Sequence, residues 1–99
     1  MAKIDVDRLA LIGRAISDPN RIRILVELYS HPMTTLEIIE SIGLNQSNLS
    51  YHMSKLLRSG LVVCTHPDGR HVYELTSSGI RLIKDSAKLC TFTNEEPRR

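Results

Sequence analysis

Cys64, His66 and His71 fall within eight positions of one another. A thiolate and two imidazoles form a mixed sulfur and nitrogen set of the kind that binds zinc. The intervening run, His66-Pro67-Asp68-Gly69-Arg70, reads as a turn between two β-prone segments, 61–65 and 71–75. Register therefore decides whether the three side chains can share one ion. If Pro67-Asp68-Gly69 is a three-residue loop, Thr65 lies opposite His71 and His66 opposite Arg70, and the imidazoles point to opposite faces. A two-residue loop would set His66 directly across from His71. Pro67 suits the second position of a type I turn and Gly69 the left-handed position of a bulge. The three-residue loop is the expectation, and with it no metal ligand set and no cofactor.

Other reactive arrangements are scarce. The chain has no glycine-rich phosphate loop, no Ser-His-Asp or Cys-His set on suitable elements, and no paired carboxylates at a cleft. An enzyme is not expected. Two cysteines, Cys64 and Cys90, are too few and too far apart for a disulfide framework or a zinc finger, and they suit a reducing cytoplasm. With 99 residues, 41% of them hydrophobic, the chain fits one domain that a partner subunit would help to stabilise. No apolar run is long enough to span a membrane, and the N-terminus lacks the apolar core of a secretory signal.

The second candidate for chemistry is the stretch LNQSNLSYHMSKLLRSG, residues 44–60. It mixes apolar side chains with neutral hydrogen-bonding ones and holds no acid. In fact no Asp or Glu occurs between Ser41 and Pro67, a window that contains His52, Lys55, Arg58 and His66. Net charge is only +2, so this distribution says more than the total. It favours an anionic partner.

The elements that would position these residues can be read in order. Val6, Leu9, Ile12, Gly13 and Ile16 form a stripe on a first helix from about Asp5 to Ser17. Asp18 caps a second helix whose first position is Pro19 and which carries Ile22, Leu25, Val26 and Leu28 to about Tyr29. His31-Pro32 stops it. Thr34 and Glu37 fit a capping box for a short third helix, 35–42, ended by Gly43. Asn45 caps a fourth, 46–59, ended by Gly60. Two short helices joined by a tight glycine-containing turn make a helix-turn-helix. The hairpin follows, and then a last helix, capped by Thr76 or Ser77 and running to about Cys90. Residues 91–99 lack the apolar content to pack and are expected to form a mobile tail, leaving 1–90 as the domain.

On the fourth helix Leu49, Met53, Leu56 and Leu57 take core positions, which leaves Gln46, Ser47, Ser50 and Tyr51 facing solvent near its N-terminal half. That half of the second helix of a helix-turn-helix enters the DNA major groove. There amides and hydroxyls can read base edges, whereas acids would be repelled by phosphates.

Three blocks, ISDPNRIRILVEL, LNQSNLSYHMSKLLRSGLV and DGRHVYELT, resemble the ArsR-type winged-helix transcriptional repressors. The resemblance covers about Ile16 to Thr76. It implies a mainly α fold with a small β-hairpin, a winged helix-turn-helix of four helices, two strands and a fifth helix. It also implies a homodimer that binds double-stranded DNA through Gln46, Ser47, Asn48, Ser50 and Tyr51. His52 matches the family histidine, which either approaches a phosphate or packs. Lys55 and Arg58 would contact the backbone, and Arg70 would be the wing residue on the minor groove. Arg21 would support structure. The dimer interface would be built from Leu9, Ile12 and Ile16 of the first helix and Ile80, Ile83, Ala87 and Cys90 of the last.

The sensor patterns of the family are missing. The third helix, TTLEIIESIG, holds no cysteine, the last helix no histidine, and Asp85 and Cys90 do not face one another. No metal of that type is expected and the effector stays open. Cys90 is expected to be a buried structural thiol, with an intersubunit disulfide under oxidation as the alternative. A cytoplasmic, nucleoid-associated repressor is the expected role. A protein-interaction winged helix and a non-specific architectural DNA-binding protein remain the alternatives.

Overall fold

The computed structural model describes residues 3–90, so the expected tail at 91–99 lies outside the described residues. Helices α1 (Val6–Ala15) and α2 (Pro19–Ser30) come first, then a two-residue strand β1 (Met33–Thr34) and α3 (Thr35–Ile42). Helix α4 (Gln46–Ser59), strands β2 (Val62–Thr65) and β3 (Val72–Leu75) and helix α5 (Ser77–Cys90) complete the order.

The local signals act as side-chain chemistry requires. Asp5 accepts from the Arg8 N–H at 3.0 Å, and Asp18 accepts from the Asn20 and Arg21 N–H groups ahead of Pro19. Thr34 and Glu37 close the capping box reciprocally, at 3.2 and 2.8 Å. Asn45 accepts from Asn48, and the Thr76 hydroxyl accepts from Gly79 at the head of α5. Gly43 and Gly60 take left-handed angles (φ 85° and 82°), which end α3 and α4 without a Cβ penalty.

The expected hairpin is one part of a three-stranded antiparallel sheet of order β1-β3-β2. The additional strand, β1, pairs Met33 with Tyr73 and Thr34 with Val72. Two residues are too few to show an alternating pattern in sequence. Met33 is nevertheless buried, so this edge seals the core under the wing.

The core joins Ala15 of α1, Ile24, Leu25 and Leu28 of α2, Ile38 of α3, Leu49, Met53 and Leu56 of α4, and Leu61, Val62 and Leu75 of the wing. Ile22 and Val26 of α2 are 42% and 50% exposed, and Leu57, expected at a core position, is 38% exposed. On α2 the buried arc is centred on Ile24, Leu25 and Leu28, which turns Ile22 and Val26 to its margins. Gly79 sits where α5 crosses the Leu61 carbonyl: a Cβ there would lie 2.3 Å from that oxygen. This contact seats α5 against the turn after α4.

Candidate nucleic-acid interface

Helix α4 presents two unlike sides. Leu49, His52, Met53, Leu56 and Ser59 are buried, whereas Gln46, Ser47, Asn48, Ser50, Tyr51 and Arg58 are exposed. The side chains of Gln46, Ser47 and Ser50 bond to no other described residue, so their donors and acceptors face outward uncommitted. Lys55 is half-buried, with its Nζ 5.2 Å above the Tyr51 ring, in cation–π contact. Ser54, also exposed, bonds back to the Tyr51 carbonyl at 2.8 Å.

His52 does not belong to this surface. It is 8% exposed, and its Nδ1 lies 3.0 Å from the Arg21 guanidinium. A guanidinium only donates, so Nδ1 is the acceptor. His52 stands three residues after Leu49 and four before Leu56, on the buried arc of a 3.6-residue repeat. Its helical position was readable, but its partner, 31 positions away, was not.

Arg21 itself is 7% exposed and ties three elements together. Its Nε donates to the Ala15 carbonyl at 2.8 Å and one Nη to the Arg14 carbonyl at 3.1 Å, while the other holds His52. The end of α1, the start of α2 and the middle of α4 are thereby locked, which fixes the angle at which α4 is presented. Burial alone would raise the Asp18 carboxyl, but the Asn20 and Arg21 N–H groups and the Arg21 charge outweigh it and hold the group below its ordinary range. Glu37 is held low first by the Thr34 backbone N–H and then by the Thr34 hydroxyl; the positive ends of His31 and Arg70 add to this.

The wing departs from the expected register. Thr65 pairs with Val72, which carries His66 opposite His71 and leaves a four-residue loop, 67–70. The reason is Asp68. It takes left-handed angles (φ 55°, ψ 30°) beside Gly69 (φ 78°), so the turn absorbs one more residue than the proline–glycine pattern suggested. The Gly69 N–H donates to His66 and the Arg70 N–H to Pro67, at 3.3 and 3.1 Å. The two histidines thus share a face, with ring centroids 4.4 Å apart. Arg70 is exposed at the end of this loop.

A groove beside α4 is lined by Thr35, Gln46, Ser50, His71 and Tyr73, so the wing and the exposed helix face adjoin. Burial raises the Tyr73 hydroxyl above its ordinary range, with the neighbouring Cys64 adding to the effect and a hydrogen bond with Thr35 opposing it.

A helix-turn-helix domain family matches residues 16–65. The HTH-type transcriptional regulator CmtR of Mycobacterium tuberculosis is 45% identical over 71 residues, covering 71% of this chain and 59% of CmtR. The chain belongs to the ArsR-type winged helix-turn-helix family. It spans somewhat less than two-thirds of that relative's length. Among solved structures, HlyU from Vibrio cholerae superposes with a TM-score of 0.80 at 23% identity, over 92% of this chain and all of HlyU. A homodimeric winged helix-turn-helix DNA-binding domain from Mycobacterium bovis superposes at 0.75 and 22% identity, over 97% of this chain and 100% of that one. These two likenesses are of fold. In this ArsR-type chain the short strand β1 joins the winged hairpin to make a three-stranded sheet.

The expected dimer residues lie on α1, at its C-cap Ile16, and on α5. Leu9 and Ile80 are 54% and 46% exposed, and Ile12, Ile16 and Ile83 are half-buried. Ala87 and Cys90 are exposed in the single chain, so the burial expected of the Cys90 thiol would have to come from a partner subunit. An apolar groove between the helices is lined by Leu9, Ile12, Leu61, Leu82 and Leu89. Leu82 and Leu89 were not singled out from the sequence because they fall outside the Ile80, Ile83, Ala87 spacing. Among the described residues no helix is long and apolar enough to cross a membrane.

Proposed function

We propose that this protein is a sequence-specific, double-stranded-DNA-binding transcriptional regulator, a repressor that acts as a homodimer by occupying promoter DNA in the cytoplasm. One observation carries the reading: the N-terminal half of α4 offers Gln46, Ser47, Asn48, Ser50 and Tyr51 to solvent, with no acidic residue from Ser41 to Pro67. Neutral donors and acceptors on an exposed helix suit base edges in a major groove. Lys55 and Arg58 supply phosphate contacts along the same helix, and Arg70 reaches the backbone or minor groove from the wing. His52 supports the helix from inside and touches no DNA. The exposed apolar residues Leu9, Ile80 and Leu89 support a dimer through α1 and α5, with Ile12, Ile16, Ile83, Ala87 and Cys90 around them. Two copies would read two half-sites.

Titration of duplex from the protein's own promoter against scrambled duplex, across a salt series, tests this. A dimer that neutralises about 6–10 phosphates gives a log–log salt slope of roughly −5 to −9. The Ser50→Ala/Tyr51→Ala variant should lose the preference for promoter over scrambled duplex while keeping that slope. Tight binding without discrimination would mean an architectural protein. No binding at low salt would mean that the fold serves protein contacts.

A further inference from the structure

Cys64, His66 and His71 stand together at the root of the wing, and the DNA-binding reading does not use Cys64 or His66. We propose that they form a site for one borderline-soft divalent ion of the Zn(II) class per chain, and that its occupancy sets the shape of the wing.

The backbone puts the ligands in place. Cys64 and His66 are two apart in an extended segment and so share a face. The Thr65–Val72 pairing brings His71 across from His66 on that same face. Cys64 Sγ lies 3.6 Å from His71 Nδ1. A tetrahedral zinc holding sulfur at about 2.3 Å and nitrogen at about 2.0–2.1 Å keeps such a pair roughly 3.5 Å apart. One ligand atom from each of the three residues lies within 4.8 Å of the others, so small side-chain rotations complete the triad. Cys64 is half-buried and both histidines are exposed, which leaves an approach for the ion and a fourth position for water. Two nitrogens and a sulfur favour zinc-class ions over magnesium or calcium, which prefer oxygen.

The same geometry links the ion to the DNA-facing surface. His66 and His71 bracket loop 67–70, so ligation clips the base of a turn that contains two left-handed residues and ends in Arg70. His71 also lines the groove shared with Gln46 and Ser50 of α4. An ion that draws His71 toward Cys64 therefore moves both the wing arginine and the wall beside the recognition helix. This coupling rests on the DNA-binding reading; the ion site does not.

The first experiment uses the metal alone. Reduced full-length protein is titrated anaerobically with Co(II), followed by thiolate-to-metal absorption in the near ultraviolet and the visible bands of tetrahedral cobalt, and then with Zn(II) as competitor. The expected result is one ion per chain, with the thiolate band abolished by Cys64→Ser. His66→Gln and His71→Gln should weaken binding by more than the roughly 10–100-fold typical of outer-shell changes. Cys90→Ser should bind as the parent does. All of these positions are exposed or half-buried, and circular dichroism verifies that each variant is folded. The site is refuted by absence of a thiolate band, by a band that survives Cys64→Ser, or by one that Cys90→Ser removes. Promoter affinity with and without Zn(II) then tests the coupling, which should shift in the parent and not in His71→Gln. Equal affinities would refute the coupling while leaving the ion site intact. Failure to bind DNA at all would remove the coupling together with the DNA reading, and the cobalt spectrum would still decide the site.

Discussion

Replacing Arg21 by Met keeps most of the buried stem and removes every donor. The Arg14 carbonyl keeps its bond from the Ser17 hydroxyl at 2.8 Å. The Ala15 carbonyl and His52 Nδ1 lose the partners that Arg21 gave them, in a region where Arg21 is 7% and His52 8% exposed. Each buried acceptor left unpaired costs about 1–3 kcal/mol, so Arg21→Met should destabilise by roughly 2–6 kcal/mol. For a chain of this size that lowers the melting temperature by about 10 °C or more. Urea unfolding at two protein concentrations is the assay, because dimerisation makes apparent stability depend on concentration. A second substitution sharpens it. His52→Leu alone strands the guanidinium, but Arg21→Met/His52→Leu replaces both partners with apolar groups and should cost at least about 1 kcal/mol less than the two single losses added together. A loss below about 1 kcal/mol for Arg21→Met, or strict additivity in the double variant, would refute the view that this pair anchors α4.

Gly79→Ala should destabilise despite alanine's better helix propensity. The added Cβ meets the Leu61 carbonyl oxygen at 2.3 Å, which is backbone and cannot swing away. Overpacking of about 1–3 kcal/mol should exceed a propensity gain of about 1 kcal/mol, and a higher urea midpoint would mean that α5 is not seated there. Asp18, whose folded carboxyl titrates below its unfolded value, contributes stability that is present above the unfolded pKa and lost as pH falls through the folded one. Asp18→Asn, which still caps the helix, should therefore show a shallower loss of stability below about pH 4. An acid limb identical to the parent's in pH-dependent unfolding would show that the charge of Asp18 is not what matters.

Helix boundaries were legible because their causes are local. The Asp18-Pro19 start, the Thr34–Glu37 box and the stops at Gly43 and Gly60 each act within four residues, and each stands where its chemistry places it. The exposed side of α4 was legible for the same reason, since side-chain type repeats with the helical period. Leu57 shows the limit of that reading: an apolar residue at the margin of the stripe is left outside when Leu49, Met53 and Leu56 already fill the core.

Long-range partners and register were decided by tertiary structure. Strand β1 exists because Met33 and Thr34 meet β3, not because two residues have a strand pattern. His52 is interior because Arg21, far away in sequence, supplies the donor that makes burying an imidazole tolerable. The wing histidines face one another because Asp68 accepts left-handed angles, a choice open to aspartate in a turn but not dictated by it. The helix-turn-helix, its caps and the acid-free exposed face of α4 follow from local sequence, since these depend on neighbours within a turn or two. Only the folded chain decided which polar groups are shared between elements and whether Cys64, His66 and His71 meet, because a one-residue change of register moves a β side chain to the opposite face.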